Sequence, residues 1–234
     1  PKSAVLFDLD GTLLPMDYDL FIKYYFGALA KKMAPHGYEA QSLIQAIWTG
    51  TKAMQLNDGG DINENRFWNC FAGILGEQVL VHKDTLEDFY RNEFQKVKDV
   101  CGYTPKSLEL IRMLQQKGIR LILATNPLFP PIATQSRIRW AGLQPEDFAY
   151  ITTYDNSSYC KPNPDYYREI LGKLGLRAEN CLMVGNDAVE DMAAREVGMQ
   201  VFLLKDCLIN KDGRDLSSYP QGGFPELMAY IGSL

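Results

Sequence analysis

Asp8 and Asp10 stand two residues apart in Asp8-Leu9-Asp10-Gly11-Thr12-Leu13, directly after the apolar run Ala4-Val5-Leu6-Phe7. If that run is a strand, side-chain alternation sends both carboxylates to one side and Leu9 to the other. Converging carboxylates at a strand end can hold a divalent cation, attack an electrophile or move protons. Three further polar segments could join them. Thr125-Asn126 follows the apolar run at 121–124, Lys161-Pro162-Asn163-Pro164 precedes a helical stretch, and Gly185-Asn186-Asp187, with Glu190-Asp191 just beyond, follows Cys181-Leu182-Met183-Val184. Singly, each has a plain explanation. Asn186 or Asp187 can cap a helix, threonine is common at strand ends, and a lone lysine is usually a solvated charge. A calcium loop does not fit the first segment, which lacks the third acidic position before the glycine and the distal glutamate.

Such residues need a scaffold that brings them together. The apolar runs predict strands at 4–7, 121–124, 148–151, 181–184 and 200–204, and the intervening patterns predict helices at 106–117, 131–140, 165–174 and 189–197. Strands alternating with helices of this length give an α/β fold with a doubly wound parallel sheet, which binds ligands at the carboxyl ends of its strands. All three polar stops fall there. Residues 15–101 differ, showing helical periodicity and no convincing strand. This expected all-helical insertion holds 13 of the chain's 27 aromatic residues, an enrichment that helix-to-helix packing explains better than a ligand cage. Asn57-Asp58-Gly59-Gly60-Asp61 reads as a loop inside it.

The chain's 234 residues can bury a full core without a stabilising metal or disulfide. A net charge of -5 and no basic run argue against a nucleic-acid binder. No apolar stretch reaches membrane-spanning length and the N-terminus lacks a signal-peptide layout, so no membrane association and a cytoplasmic location are expected. Five cysteines without a C-x-x-C pair point to buried thiols rather than disulfides or zinc. His36 and His82 both fall in the insertion and no G-x-S-x-G turn exists, which disfavours a serine hydrolase.

In order, Asp8-x-Asp10-Gly11-Thr12, Thr125, Lys161-Pro162-x-Pro164 and Gly185-Asn186-Asp187-x-x-x-Asp191 resemble the four motifs of the haloacid dehalogenase (HAD) superfamily. The match spans nearly the whole chain outside the insertion. The resemblance implies a Rossmann-like core domain of residues 1–14 and 102–234, a helical cap domain of residues 15–101, and a hinge near residues 11–17. It implies a phosphatase acting on small phosphorylated metabolites with Mg2+, held by Asp8, the backbone carbonyl of Asp10 and an acid of the fourth motif.

In that scheme Asp8 attacks phosphorus to form an aspartyl phosphate, and Asp10 protonates the leaving oxygen and later activates water. Thr125, Asn126 and Lys161 bind the phosphoryl group. The commonest family pattern has aspartate where Asn186 stands, so the direct ligand is open between Asn186 and Asp187. Asp187 is favoured because a carboxylate holds Mg2+ better than an amide. Asp191 would then orient a metal-bound water or pair with Lys161. A phosphomutase of the same superfamily and a noncatalytic interaction protein are the alternatives, while a dehalogenase needs neither Asp10 nor the metal acids. Substrate identity and oligomeric state are not legible.

Overall fold

The computed structural model describes residues 2–234. Six parallel strands, β1 (Ala4–Phe7), β2 (Arg120–Leu123), β3 (Tyr150–Ile151), β4 (Cys181–Gly185), β5 (Gln200–Leu204) and β6 (Gln221–Gly222), form one sheet in the order β3-β2-β1-β4-β5-β6. β1 pairs with both β2 and β4, with Phe7 opposite Leu123 on one side and Val184 on the other. Strand order reverses direction between β1 and β4, so the carboxyl end of β1 lies at the sheet's switch point.

β1 is apolar throughout because both its faces are covered. Val5 and Phe7 pack into one core with α5 (Lys106–Gln116), α6 (Pro131–Trp140) and α8 (Phe224–Gly232), through Leu110, Ile138 and Leu227. Ala4 and Leu6 face the other core, with Tyr166, Tyr167 and Ile170 of α7 (Pro164–Leu174) and the short turn Met192–Val197. Each such fully buried large apolar side chain contributes roughly 1.5–3 kcal/mol.

Between β1 and α5 the chain forms α1 (Tyr18–Met33), α2 (Ala40–Gln55), α3 (Asn63–Leu75) and α4 (Lys83–Arg91), joined by short turns. Asp17 caps α1 by accepting the N–H groups of Asp19 and Leu20, and Glu39 caps α2 in the same way. The entry to and exit from this segment run side by side. Met16 bridges Cys101, and the Gly102 N–H donates to the Pro15 carbonyl at 2.8 Å. Residues 11–14, expected within a hinge, form a hydrogen-bonded turn with Leu13 and Leu14 buried.

A polar clamp ties α3 to the sheet's loops. Asn63 is fully buried, donates from Nδ2 to the Pro127 and Tyr159 carbonyls, and accepts from Asn57. His36 and His82 lie against each other with ring centroids 4.5 Å apart.

Two expectations need correction. The strand expected at 148–151 begins only at Tyr150, after a short turn at Pro145–Asp147. A helix expected at 189–197 is reduced to a 3-10 turn at Met192–Val197: the Tyr167 hydroxyl donates to the Glu190 carbonyl at 2.6 Å, while the Asp191 carbonyl accepts the Ala194 N–H in the tighter i to i+3 pattern. β6 and α8 were not foreseen. The spacing of Phe224, Leu227 and Ile231 carried a helical signal, whereas a two-residue strand carries almost none.

Candidate active site

β1 delivers Asp8 to the switch point, where its N–H donates to the Val184 carbonyl and its side chain turns toward Lys161. The Lys161 ammonium lies 3.1 Å from Asp8 Oδ1 and 2.7 Å from Asp191 Oδ1, so one cation bridges two carboxylates 183 residues apart in sequence. Lys161 is only 3% exposed and Asp191 1%, which replaces the solvated-lysine reading with a buried triad. Asp191 is fixed further by accepting the Asp187 N–H at 2.9 Å. That approach depends on Gly185, where a Cβ would sit 2.2 Å from the Asp191 carboxyl carbon.

Electrostatics follow from burial. Desolvation, reinforced by Asp191, holds the Asp8 carboxyl well above the ordinary carboxylate range despite Lys161. Desolvation also raises Asp191, with Lys161 opposing it. Burial alone would lower Lys161, but Asp191 and Asp8 outweigh it and hold the ammonium above the usual lysine range. Glu190 is pushed up to about 8, first by burial and then by Asp187.

The fourth-motif residues divide their tasks. Asn186 accepts from the Thr12 hydroxyl at 3.0 Å and donates to the Cys207 carbonyl at 2.9 Å, so both ends of its amide are engaged. It also packs beneath Gly11, whose φ of 84° and lack of a Cβ allow contact; a Cβ there would lie 2.2 Å from Asn186 Nδ2. Asp187 Oδ1 accepts the N–H groups of Val189 and Glu190, and its side chain borders the same cavity as Asp8.

Thr125 is buried, its carbonyl accepting from the Thr152 and Tyr166 hydroxyls, which pins the end of β2. Asn126 accepts the Lys161 N–H and donates to Glu190, so any contact from this residue to a phosphate falls to its backbone N–H. Thr125, Lys161 and Asp191 do not border the cavity, whereas Asp8, Asp10, Asn126, Asn186 and Asp187 do.

Sequence reasoning missed Arg137. This arginine of α6 is wholly buried, and its Nη1 contacts both oxygens of Asp10 at 2.6 and 2.5 Å. Its guanidinium stacks 4.1 Å over the Phe129 ring, and its Nε has no hydrogen-bond partner among the described residues. An arginine in a helix reads as a surface residue unless its partner is known, so no local signal marked it.

Asp8, Asp10, Asp187 and Glu190 border one cavity with Asp191 behind them, and Lys161 and Arg137 provide the cations that contact this group. Among the described residues no three His, Cys, Asp or Glu side chains close into a preformed ion cage. Hard oxygen donors, excess negative charge and an open arrangement fit Mg2+, which keeps several waters and takes few protein ligands.

Carboxylates and one bridging lysine at the switch point of a parallel sheet, roofed by inserted helices, define an α/β enzyme whose chemistry is set by acids. The family profile of haloacid dehalogenase-like hydrolases matches residues 2–198. A phosphoglycolate phosphatase of Pectobacterium atrosepticum is 30% identical over 196 residues, covering 83% of this chain and 76% of that protein. Pyrophosphatase PpaX of Halalkalibacterium halodurans is 22% identical, covering 90% and 86%. The fold is shared with a HAD phosphatase from Thermococcus onnurineus at a TM-score of 0.61, 21% identity and 98% coverage of both chains. The chain belongs to the haloacid dehalogenase-like hydrolases and is a phosphatase-like member of that family. No helix among the described residues is long and apolar enough to cross a membrane.

Proposed function

We propose that this protein is a magnesium-dependent phosphatase that hydrolyses small phosphorylated metabolites through an aspartyl phosphate on Asp8. The observation that carries the reading is the bridge from Lys161 to Asp8 and Asp191, which gathers three sequence motifs at one strand end. Mg2+ would be held by Asp8, the Asp10 carbonyl and Asp187, and would supply positive charge against the phosphoryl oxygens. The engaged amide of Asn186 favours Asp187 as the fourth-motif ligand.

Asp8 attacks phosphorus and the ester oxygen departs with a proton from Asp10. Water, deprotonated by Asp10, then cleaves the aspartyl phosphate. Arg137 holds Asp10 by both oxygens and keeps it aimed at the cavity. Lys161 offsets charge on Asp8 and the transferring group, the Asn126 N–H holds its oxygens, Thr125 anchors the strand end that carries Asn126, and Asp191 fixes Lys161. Residues 1–14 and 102–234 serve as the catalytic core and residues 15–101 as the cap that excludes water.

Purified protein is expected to hydrolyse p-nitrophenyl phosphate only with Mg2+, and Asp8→Asn to abolish turnover. Borohydride should reduce the acyl phosphate, releasing phosphate and leaving homoserine at position 8 for mass spectrometry to detect. Undiminished hydrolysis by Asp8→Asn would rule the mechanism out.

A further inference from the structure

The wall of the cavity above Asp8 narrows the substrate, granted the phosphatase reading. The cavity encloses about 680 Å3, within the roughly 300–1,000 Å3 common for small-molecule pockets. Its acids stand at the strand ends. Its far wall is aromatic, built by Phe26, Trp48, Phe67, Trp68, Phe71 and Tyr90 of the helical insertion. Eight of the insertion's thirteen aromatic residues border this space, so the enrichment first ascribed to packing is divided between packing and the wall.

Charge is distributed unevenly. The cationic side chains bordering the cavity are Lys23 and Lys211, and both are exposed. Lys211 is largely exposed and lies 3.9 Å from Asp19, which is also largely exposed. Among the described residues no arginine or histidine borders the space. A phosphoryl group bound at the floor has Lys161 and the acid-held cation to offset its charge. A second anionic group, directed at the far wall, would lose its water and meet rings instead of a cation.

From this we infer that the substrate is the phosphate monoester of an aromatic or otherwise apolar alcohol, with no second anionic group. The rings of Trp68, Phe71 and Tyr90 offer faces and edges to an apolar leaving group, and the apolar area they cover supplies its binding energy. 2-Phosphoglycolate and pyrophosphate each carry a second anionic group, so this wall separates the chain from the activities named for its relatives. A longer apolar tail also fits the volume.

The test compares kcat/KM with Mg2+ for benzyl phosphate, 2-phosphoglycolate and inorganic pyrophosphate. Benzyl phosphate and 2-phosphoglycolate are both esters of primary alcohols, so the comparison reads the wall rather than leaving-group reactivity. Benzyl phosphate is expected to be favoured by about tenfold or more, the discrimination an apolar pocket gives a well-fitting group. Thr51→Arg places a guanidinium on the wall, because Thr51 of α2 borders the cavity. It should shift the benzyl-to-glycolate ratio about tenfold or more toward the acid, with the circular dichroism spectrum unchanged. Equal or faster turnover of 2-phosphoglycolate or pyrophosphate by the unaltered protein would overturn the inference and leave the phosphatase reading standing. No hydrolysis of any of the three, nor of p-nitrophenyl phosphate, would overturn both.

Discussion

Replacing Lys161 with methionine keeps the length and bulk of the side chain and removes the ammonium from between Asp8 and Asp191. Removing one partner of a buried ion pair costs about 3–5 kcal/mol, because the remaining charge stays buried without compensation. Asp8 borders the cavity and can hydrate, whereas Asp191 is 1% exposed and cannot, so the lower end, about 3 kcal/mol, is expected at pH 8. With a urea m-value of about 3 kcal/mol/M, this is a midpoint shift of roughly 1 M urea in EDTA-containing buffer, and it is smaller than the roughly 5–15 kcal/mol total stability typical of folded domains, so the variant should still fold.

The deficit must depend on pH. Asp8 and Asp191 already have folded-state values above those of the unfolded chain, and losing Lys161 raises them further. Groups shifted upward stabilise the fold fully below their unfolded value, near pH 4, and that contribution is lost as pH rises through the folded value. In the unaltered protein Lys161 is also shifted upward, so its contribution persists up to its unfolded value near pH 10.4 and disappears only as pH rises through its still higher folded value. The two proteins should therefore converge toward pH 4–5 and separate as pH rises to 8. Urea titrations followed by tryptophan fluorescence at several pH values measure this directly. A deficit under 1 kcal/mol at pH 8, or one independent of pH, would show that the lysine does not compensate these acids.

Arg137→Met should lower kcat about tenfold or more with little change in KM, since it releases Asp10 without touching the cavity wall. Arg137→Lys should not restore the rate, because an ammonium cannot reproduce a planar guanidinium stacked on Phe129; steady-state kinetics decide both. Asn63→Ala should destabilise the fold by about 2 kcal/mol, a melting shift of roughly 4–8 °C by calorimetry, because it strips donors from the Pro127 and Tyr159 carbonyls. Gly185→Ala should push Asp191 off Lys161, costing about 1–3 kcal/mol in denaturant melts together with most of the activity.

The parts of this fold written in local patterns were readable from residues alone. β1, β2 and β4 were marked by short apolar runs with abrupt polar ends, and Lys161 and Asp191 by their resemblance to the third and fourth family motifs. What was hidden depended on distant partners. The ion pair of Arg137 with Asp10 joins residues 127 positions apart, and the Glu190 carbonyl in the shortened helical stretch is met by a tyrosine on α7. The aromatic insertion was legible as helical, but which rings faced inward and which faced the cavity depended on how four helices pack.

The larger apolar core passes without a break from Val5 and Phe7 on the sheet to Phe21, Tyr25 and Phe71 in the inserted helices. Heating should therefore melt roof and floor as one cooperative unit, visible as a single calorimetric peak. Splicing out the inserted helices would uncover greasy surface on the remaining half and yield aggregate rather than a minimal enzyme. In the intact molecule the same continuity restrains how far the roof can swing, favouring entry of small guests along the rim over wide gaping.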